Sequence, residues 1–280
     1  MDSHAIALTG ELRDRIAANR IVDPRDMPIR HHNLRAIGRS PAHYLESFQD
    51  GRSSTMSMRI GSGTHGLLLG KEVVLYPGKV RNGKVWDAFE KEHAERGAVI
   101  LNAKELAKAT AMNAAVRAHE TANRVLFCEG TVHERTILWE QMGRKCRTTP
   151  DAASIRHLVE VKTTKCADPA RFVRDAMFAG YHAQLANQAD ALEYQNGIRP
   201  KDVYVVAIEN TAPYVVEVFR LTPNALEQGA RLNRLWLERA LSCEAAGTYP
   251  GYSQSVSDFD VSSDDLDLIF GDDSADGEGE

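Results

Sequence analysis

The spacing of apolar residues changes along the chain, and each spacing predicts a kind of element. A Ser-Pro pair predicts a short helix over residues 40–48, since serine suits the N-cap and proline the first helical position. The Gly- and Ser-rich start of residues 51–70 predicts a loop that leads into a helix near His65. Residues 102–122 predict one long helix, because Asn102 begins a capping box ahead of apolar residues with helical spacing.

The centre of the chain changes to the two-residue period of β-strands, and helical spacing returns after it. The predicted strands cover residues 73–76, 131–140, 145–151, 157–164, 202–209 and 214–220. The later predicted helices cover residues 168–178, 181–194 and 221–246. Helices, then a β-meander, then a helix and further strand indicate an α/β or α+β core.

Composition supports a folded body with different segments at its two ends. Hydrophobic residues make up 43% of the 280 residues, which is enough for a sizeable core, and we expect one domain over residues 26–250. Residues 1–25 lack clear periodicity and predict an N-terminal arm, whereas residues 251–280 predict an acidic disordered tail. No apolar run reaches the roughly 20 residues of a membrane-spanning helix. We therefore expect a cytoplasmic protein that does not bind membranes.

The net charge of −5 conceals a basic body. Residues 256–280 hold ten acidic residues and no Lys or Arg, so the rest of the chain keeps 34 basic against 29 acidic residues, about +5. A basic body can bind a polyanion. The tail also carries an apolar island, and it is predicted to be a solubilising end, a partner-docking segment or a competitor of DNA for the body. The island consists of Leu266, Leu268, Ile269 and Phe270.

The most informative segment is a Pro-Asp pair that is followed, after eight residues, by Glu-Val-Lys. Glu160 and Lys162 share one face of a strand, while Val159 and Val161 face a core. A tight connection from Asp151 brings both carboxylates to one end of the meander. Two carboxylates and a backbone carbonyl form the hard oxygen site that Mg²⁺ or Mn²⁺ prefers, and the lysine can orient a water or offset phosphate charge. An exposed strand with an ordinary Glu–Lys pair is the alternative, and these residues alone leave both open.

Together, several motifs resemble a nuclease family. Pro-Asp…Glu-x-Lys is the signature of PD-(D/E)xK nucleases. Over residues 39–246 the chain is similar to the phage and prophage exonuclease VIII (RecE-type) branch, relatives of lambda exonuclease and the RecB nuclease domain. The segments that carry the resemblance are, in order, SPAHYLES, GSGTHGLLLG, RNGKVWDAF, HERTILWE, LVEVKTT and GYHAQLANQADAL. The resemblance implies a restriction-endonuclease-like core, with a central mixed β-sheet flanked by helices.

The resemblance also implies roles for individual residues. It implies ligation of one or two Mg²⁺ or Mn²⁺ ions by His65, Asp151, Glu160 and the carbonyl of Val161. Lys162 would position the attacking water. Tyr181 and Gln184, about one helical turn apart, would complete the site, and Glu134 would assist a second metal ion or the water.

The implied function is Mg²⁺-dependent digestion of double-stranded DNA ends in the 5′→3′ direction, which leaves single strands for annealing-type recombination. The implied partners are DNA ends, a single-strand annealing protein and further copies of the chain in a ring-like trimer or tetramer. Two alternatives remain: another RecB-like nuclease of the superfamily, and a catalytically silent DNA-binding or scaffold protein. The absence of a CxxC pair disfavours an iron–sulfur nuclease, and the intact acid–lysine set disfavours a silent protein.

Overall fold

The computed structural model describes residues 22–49 and 54–259. The helices in these ranges, after a short 3₁₀ turn over Pro24–Asp26, are α1 (His31–Arg39), α2 (Pro41–Glu46), α3 (Met56–Leu69), α4 (Gly83–Ala94), α5 (Ala103–Ala118), α6 (Glu120–Leu126), α7 (Pro169–Ala179), α8 (Tyr181–Asn196) and α9 (Pro223–Ala246). The strands are β1 (Val73–Leu75), β2 (Val99–Leu101), β3 (Val132–His133), β4 (Ile137–Gln141), β5 (Arg144–Thr148), β6 (Ala152–Ala153), β7 (His157–Thr164), β8 (Asp202–Glu209) and β9 (Val216–Arg220).

A five-stranded mixed sheet, in the order β3-β6-β7-β8-β9, forms the centre of the fold. β7 and β8 pair in parallel over their whole lengths, and the other neighbours pair antiparallel. A parallel pair needs a crossover connection, which α7 and α8 supply. Two further two-stranded sheets, β1-β2 and β4-β5, lie outside this sheet. The mixed α/β architecture predicted from the sequence is confirmed.

The two faces of β7 and β8 bury different hydrophobic clusters, since successive strand residues point to opposite faces. Leu158 packs in the cluster that α1, α8 and α9 share with β8. Val159 and Val161 pack in the second cluster, with residues of α3, α5 and α6. Helices therefore cover both faces, and Glu160 shares the α8 face with Leu158.

Two predicted elements are each divided into two in the structure. The single helix expected over residues 102–122 is wrong, because His119 leaves the helical conformation (ψ 110°) and its ring accepts a hydrogen bond from the N–H of Ala122, which starts α6. The single strand expected over residues 131–140 is also wrong. Glu134 has a left-handed φ of 52°, and the chain leaves the central sheet there to form the β4-β5 hairpin. The sequence patterns did not predict α1, α4 or β2.

The loop expected before His65 is wrong as well, because α3 begins at Met56. The glycines that suggested a loop instead let the helix pack closely. A Cβ at Gly63 would lie 2.4 Å from a methyl group of Leu101, and one at Gly66 would lie 2.7 Å from a methyl group of Val73. The small residues of α3 therefore serve its contact with the β1-β2 sheet.

The described parts of the two ends differ in their contacts. Val22 and Gln49 exchange hydrogen bonds, and Arg144 donates to the carbonyls of Pro24 and Met27. Residues 251–259 form neither helix nor strand. Most of the predicted arm and the apolar island of the tail lie outside the described residues, so the domain limits stay a prediction. Within the described ranges, no helix has the length and apolar character to cross a membrane.

Candidate active site

The register of one short hairpin brings the two predicted acids together. β6 pairs with β7 antiparallel, with Ala152 opposite Val159. One residue further along this register, Asp151 comes opposite Glu160. The Asp151 carboxylate accepts a hydrogen bond of 2.7 Å from the N–H of Val161. Both acids are nearly fully buried, at 6% and 4% exposure. A two-residue strand is thus sufficient to fix one carboxylate beside the other.

α8 supplies the polar contacts that fix Glu160 and Lys162. Lys162 Nζ donates to Glu160 Oε1 at 2.8 Å and to Gln184 Oε1 at 2.9 Å. The other carboxylate oxygen of Glu160 accepts from Gln188 Nε2 at 2.9 Å. Lys162 Nζ also lies 4.8 Å from the centre of the Tyr181 ring. The structure therefore brings the predicted helix residues Tyr181 and Gln184 into contact with the predicted lysine.

His65 reaches the same place from α3, on the other face of the sheet. Its Nδ1 lies 3.3 Å from Asp151 Oδ1. Gly61 lies one helical turn earlier, and a Cβ there would be 3.3 Å from Thr163 Oγ1 on β7. The close approach of α3 to β7 thus places the His65 ring beside Asp151.

Glu134 adds a third carboxylate at the turn that ends β3. Its N–H donates to the Asp151 carbonyl at 3.1 Å, and its left-handed backbone turns the chain at this point. One ligand atom each from His65, Glu134 and Asp151 lies within 4.8 Å of the other two. Lys71 Nζ lies 2.8 Å from Glu134 Oε1. Sequence reasoning missed Lys71, since a lysine that follows the C-cap of a helix belongs to no motif.

Burial and the paired charges shift the pKa values of these groups. Burial opposes ionisation of Asp151, but the positive charges of His65 and Lys162, with the hydrogen bonds from His65 and Val161, lower its pKa. Burial likewise opposes protonation of His65, yet the attraction of Asp151 raises the pKa of the imidazole. Burial and the charge of Asp151 raise the pKa of Glu160, against the attraction of Lys162. Burial lowers the pKa of Lys162, but Glu160 and Asp151 raise it by more.

The donor set formed by His65, Glu134 and Asp151 fits a divalent cation. Carboxylate oxygens with one imidazole nitrogen are suitable ligands for Mg²⁺ or Mn²⁺. Glu160 lies outside this group of three, and both its oxygens accept hydrogen bonds from Lys162 or the two glutamines. The contact of Val161 in the site is made by its N–H. Ligation by Glu160 and by the Val161 carbonyl stays a prediction.

The cysteines do not gather at this site or elsewhere in the described part of the chain. Cys146 is buried in the core, and the other three are half-buried and unpaired by disulfides. No cysteine belongs to a group of potential metal ligands within residues 22–49 and 54–259. The structure thus offers no support for an iron–sulfur cluster.

Comparison with solved structures shows a related fold. The crystal structure of a protein from Eubacterium rectale, provisionally named an exonuclease, has a TM-score of 0.59 and 14% sequence identity, and the match covers 87% of this chain and 93% of that one. At this identity the likeness concerns the fold alone. The structure of SSO0001 has a TM-score of 0.27 and 13% identity over 66% of this chain and 88% of that one, which is too low to support an argument. Curated protein sequences give no significant match.

Comparison with protein families gives a match over most of the folded chain. Residues 31–259 match the family described as "PDDEXK-like domain of unknown function (DUF3799)". The matched range contains His65, Glu134, Asp151, Glu160 and Lys162, and the fold is the mixed α/β core expected of the PD-(D/E)xK superfamily. This chain belongs to the PDDEXK-like family DUF3799.

Proposed function

We propose that this protein is a divalent-metal-dependent deoxyribonuclease. The observation that carries the proposal is the convergence of Asp151, Glu160 and Lys162 with His65 at one end of the β6-β7 hairpin. Neither acid is an exposed strand residue, so the ordinary surface pair that the sequence left open does not describe this site.

Different residues of the site would have different roles in phosphodiester hydrolysis. His65, Glu134 and Asp151 would hold a divalent cation, which supplies Lewis-acid polarisation of the phosphate and a lowered pKa of water when it is bound. The Lys162 ammonium would orient the attacking water and offset negative charge on the phosphate oxygens. Glu160 and Gln184 hold that ammonium in place through direct hydrogen bonds.

We further propose that the substrate is a double-stranded DNA end, which the enzyme digests from 5′ to 3′. The resemblance to RecE-type exonucleases supports this direction, and the name of the Eubacterium rectale protein agrees with exonuclease activity. The same resemblance supports a cytoplasmic homo-oligomer, trimeric or tetrameric, that acts with a single-strand annealing protein. Light scattering of the purified chain tests the oligomer, and co-purification with the annealing protein tests the partner.

A digestion assay tests the activity and its direction. Linear duplex DNA labelled at either the 5′ or the 3′ end is incubated with Mg²⁺, with Mn²⁺ or with EDTA, beside a closed circular duplex. We expect metal-dependent loss of the linear DNA, early release of the 5′ label and an intact circle. A comparison of 5′-phosphate and 5′-hydroxyl ends then defines the end preference.

Other results of this assay would identify another function. Cleavage of the circle would show an endonuclease, which is the alternative of a different superfamily nuclease. Binding of the duplex without digestion in either metal would contradict the nuclease proposal and favour the silent DNA-binding protein.

A further inference from the structure

The ion pair between Lys71 and Glu134 lies directly at the candidate metal cluster. Lys71 Nζ is 2.8 Å from Glu134 Oε1, and Glu134 offers a ligand atom within 4.8 Å of those of His65 and Asp151. Lys71 follows Gly70, the C-cap of the helix that carries His65. The pair thus joins two segments that contribute to the cluster.

The two partners of this pair are held very differently. The Glu134 side chain is only 18% exposed, and its backbone is fixed by the hydrogen bond to the Asp151 carbonyl. The Lys71 side chain is 44% exposed and ends a flexible four-carbon stem. The ammonium can therefore move into water without burying a charge, whereas the carboxylate stays at the cluster.

A divalent cation and the Lys71 ammonium have the same electrostatic partner. Either of them offsets the negative charge of Glu134, and when both are close to this carboxylate they repel each other. The role of Lys162 differs, since Lys162 is bound to Glu160 and Gln184 on the other face of the sheet.

We propose that Lys71 is a positioning residue that acts as a displaceable counter-ion of the metal centre. Its ammonium neutralises Glu134, and a divalent cation binds the cluster in competition with it. Lys71 consequently weakens the affinity for metal. This inference rests on the proposed metal centre and adds a residue that controls it.

Calorimetric titration with Mn²⁺, in the absence of DNA, tests the proposal. The variant Lys71→Met removes the charge and keeps most of the stem. We expect it to bind Mn²⁺ roughly tenfold more tightly than the wild type, because one unit charge beside a divalent ion changes its affinity by about this factor in water-like surroundings. Lys71→Arg keeps the cation and should restore the wild-type affinity to within about twofold.

Lys201→Met is the matched control. It makes the same change at an exposed lysine, which precedes the residue that pairs with His157 at the start of β7. It should leave the Mn²⁺ affinity unchanged. Thermal unfolding in EDTA should give similar midpoints for all these variants, because exposed ion pairs contribute little to stability.

The double variant Lys71→Met with Glu134→Gln separates competition from a general change in charge. Without the Glu134 charge, removal of Lys71 should have little effect: the double variant should bind Mn²⁺ within about twofold of Glu134→Gln alone. Equal or weaker binding by Lys71→Met alone would overturn the proposal. Failure of the wild type to bind Mn²⁺ would instead contradict the metal centre itself, so the two failures are distinguishable.

Discussion

At the scale of single residues, Lys162 offers the most direct test of the chemistry. Lys162→Ala removes the ammonium beside Glu160 and Gln184 but leaves the His65, Glu134 and Asp151 cluster in place. We expect the rate of linear DNA digestion to fall by roughly 10²-fold or more, the scale of one electrostatic or acid–base contributor. The measurement is a single-turnover digestion rate at saturating Mg²⁺.

Lys165→Ala is the matched control for this substitution. Lys165 is exposed, lies just beyond the end of β7, and makes no ion pair within the described ranges. Its loss should change the digestion rate by less than about threefold. Digestion by Lys162→Ala at a rate close to the wild type would remove Lys162 from the mechanism.

The relative positions of site residues can be read from the sequence where neighbours along a strand decide the geometry. The relation of Glu160 to Lys162 follows from the two-residue period, and that of Asp151 to Glu160 from a short hairpin. The place of His65 beside Asp151 depends on how α3 packs on β7, which no local period specifies, and it was expected only from the family resemblance. The contact of Lys71 with Glu134 joins residues 63 positions apart, and no local sequence pattern predicts it.

At the scale of elements, the packing of α8 against α9 controls the helix that fixes Glu160 and Lys162. A Cβ at Gly229 of α9 would lie 2.3 Å from the carbonyl oxygen of His182, in the first turn of α8. A backbone atom cannot yield as the end of a side chain can. We expect Gly229→Ala to lower the free energy of unfolding by about 1–3 kcal/mol, the range of overpacked interiors, as measured by urea unfolding.

The same substitution should also slow digestion, because a shift of the first turn of α8 moves Tyr181 and Gln184 relative to Lys162. Gln228→Ala, at the exposed neighbouring position of α9, serves as the control and should stay within about 0.5 kcal/mol of the wild type. Full stability and full activity of Gly229→Ala would show that the two helices can separate without affecting the site.

The wrong element boundaries share one cause: the same residue type can occur in more than one kind of local structure. Glycine favours loops in isolation, yet in α3 it permits close contact with Leu101 and Val73. A histidine inside a helical pattern can cap a new helix, as His119 does. A glutamate within a strand pattern can adopt a left-handed conformation where tertiary contacts hold it, as Glu134 does. For α3 and Glu134, a contact with another segment of the chain decides between the uses, whereas His119 caps the helix that begins directly after it.

At the scale of the whole molecule, charge is distributed between a basic body and an acidic end. The basic excess of about +5 lies in residues 1–255, whereas the following 25 residues carry ten acids. The described start of this end makes no packed contact with the body, since Val256 and Phe259 are 94% and 93% exposed. Removal of residues 256–280 takes away ten negative charges, and residues 256–259, the part of this segment that the structure describes, contribute no packed side chain to the core.

We expect this truncation to strengthen DNA binding through electrostatics alone. The duplex and the acidic tail compete for the same positive potential, so loss of the tail should raise the affinity at low salt. The difference should shrink as salt rises, because the Debye length falls to about 10 Å at 0.1 M. Equilibrium binding of a labelled duplex in EDTA, measured over a series of KCl concentrations, gives both the affinity and its dependence on salt.

A full-length variant in which serine replaces the apolar island is the control, because it keeps the charge. It should bind DNA as the wild type does, whereas a gain in its affinity would indicate that the island docks on the body. Equal affinity of the truncated and full-length proteins at every salt concentration would show that the tail does not compete with DNA.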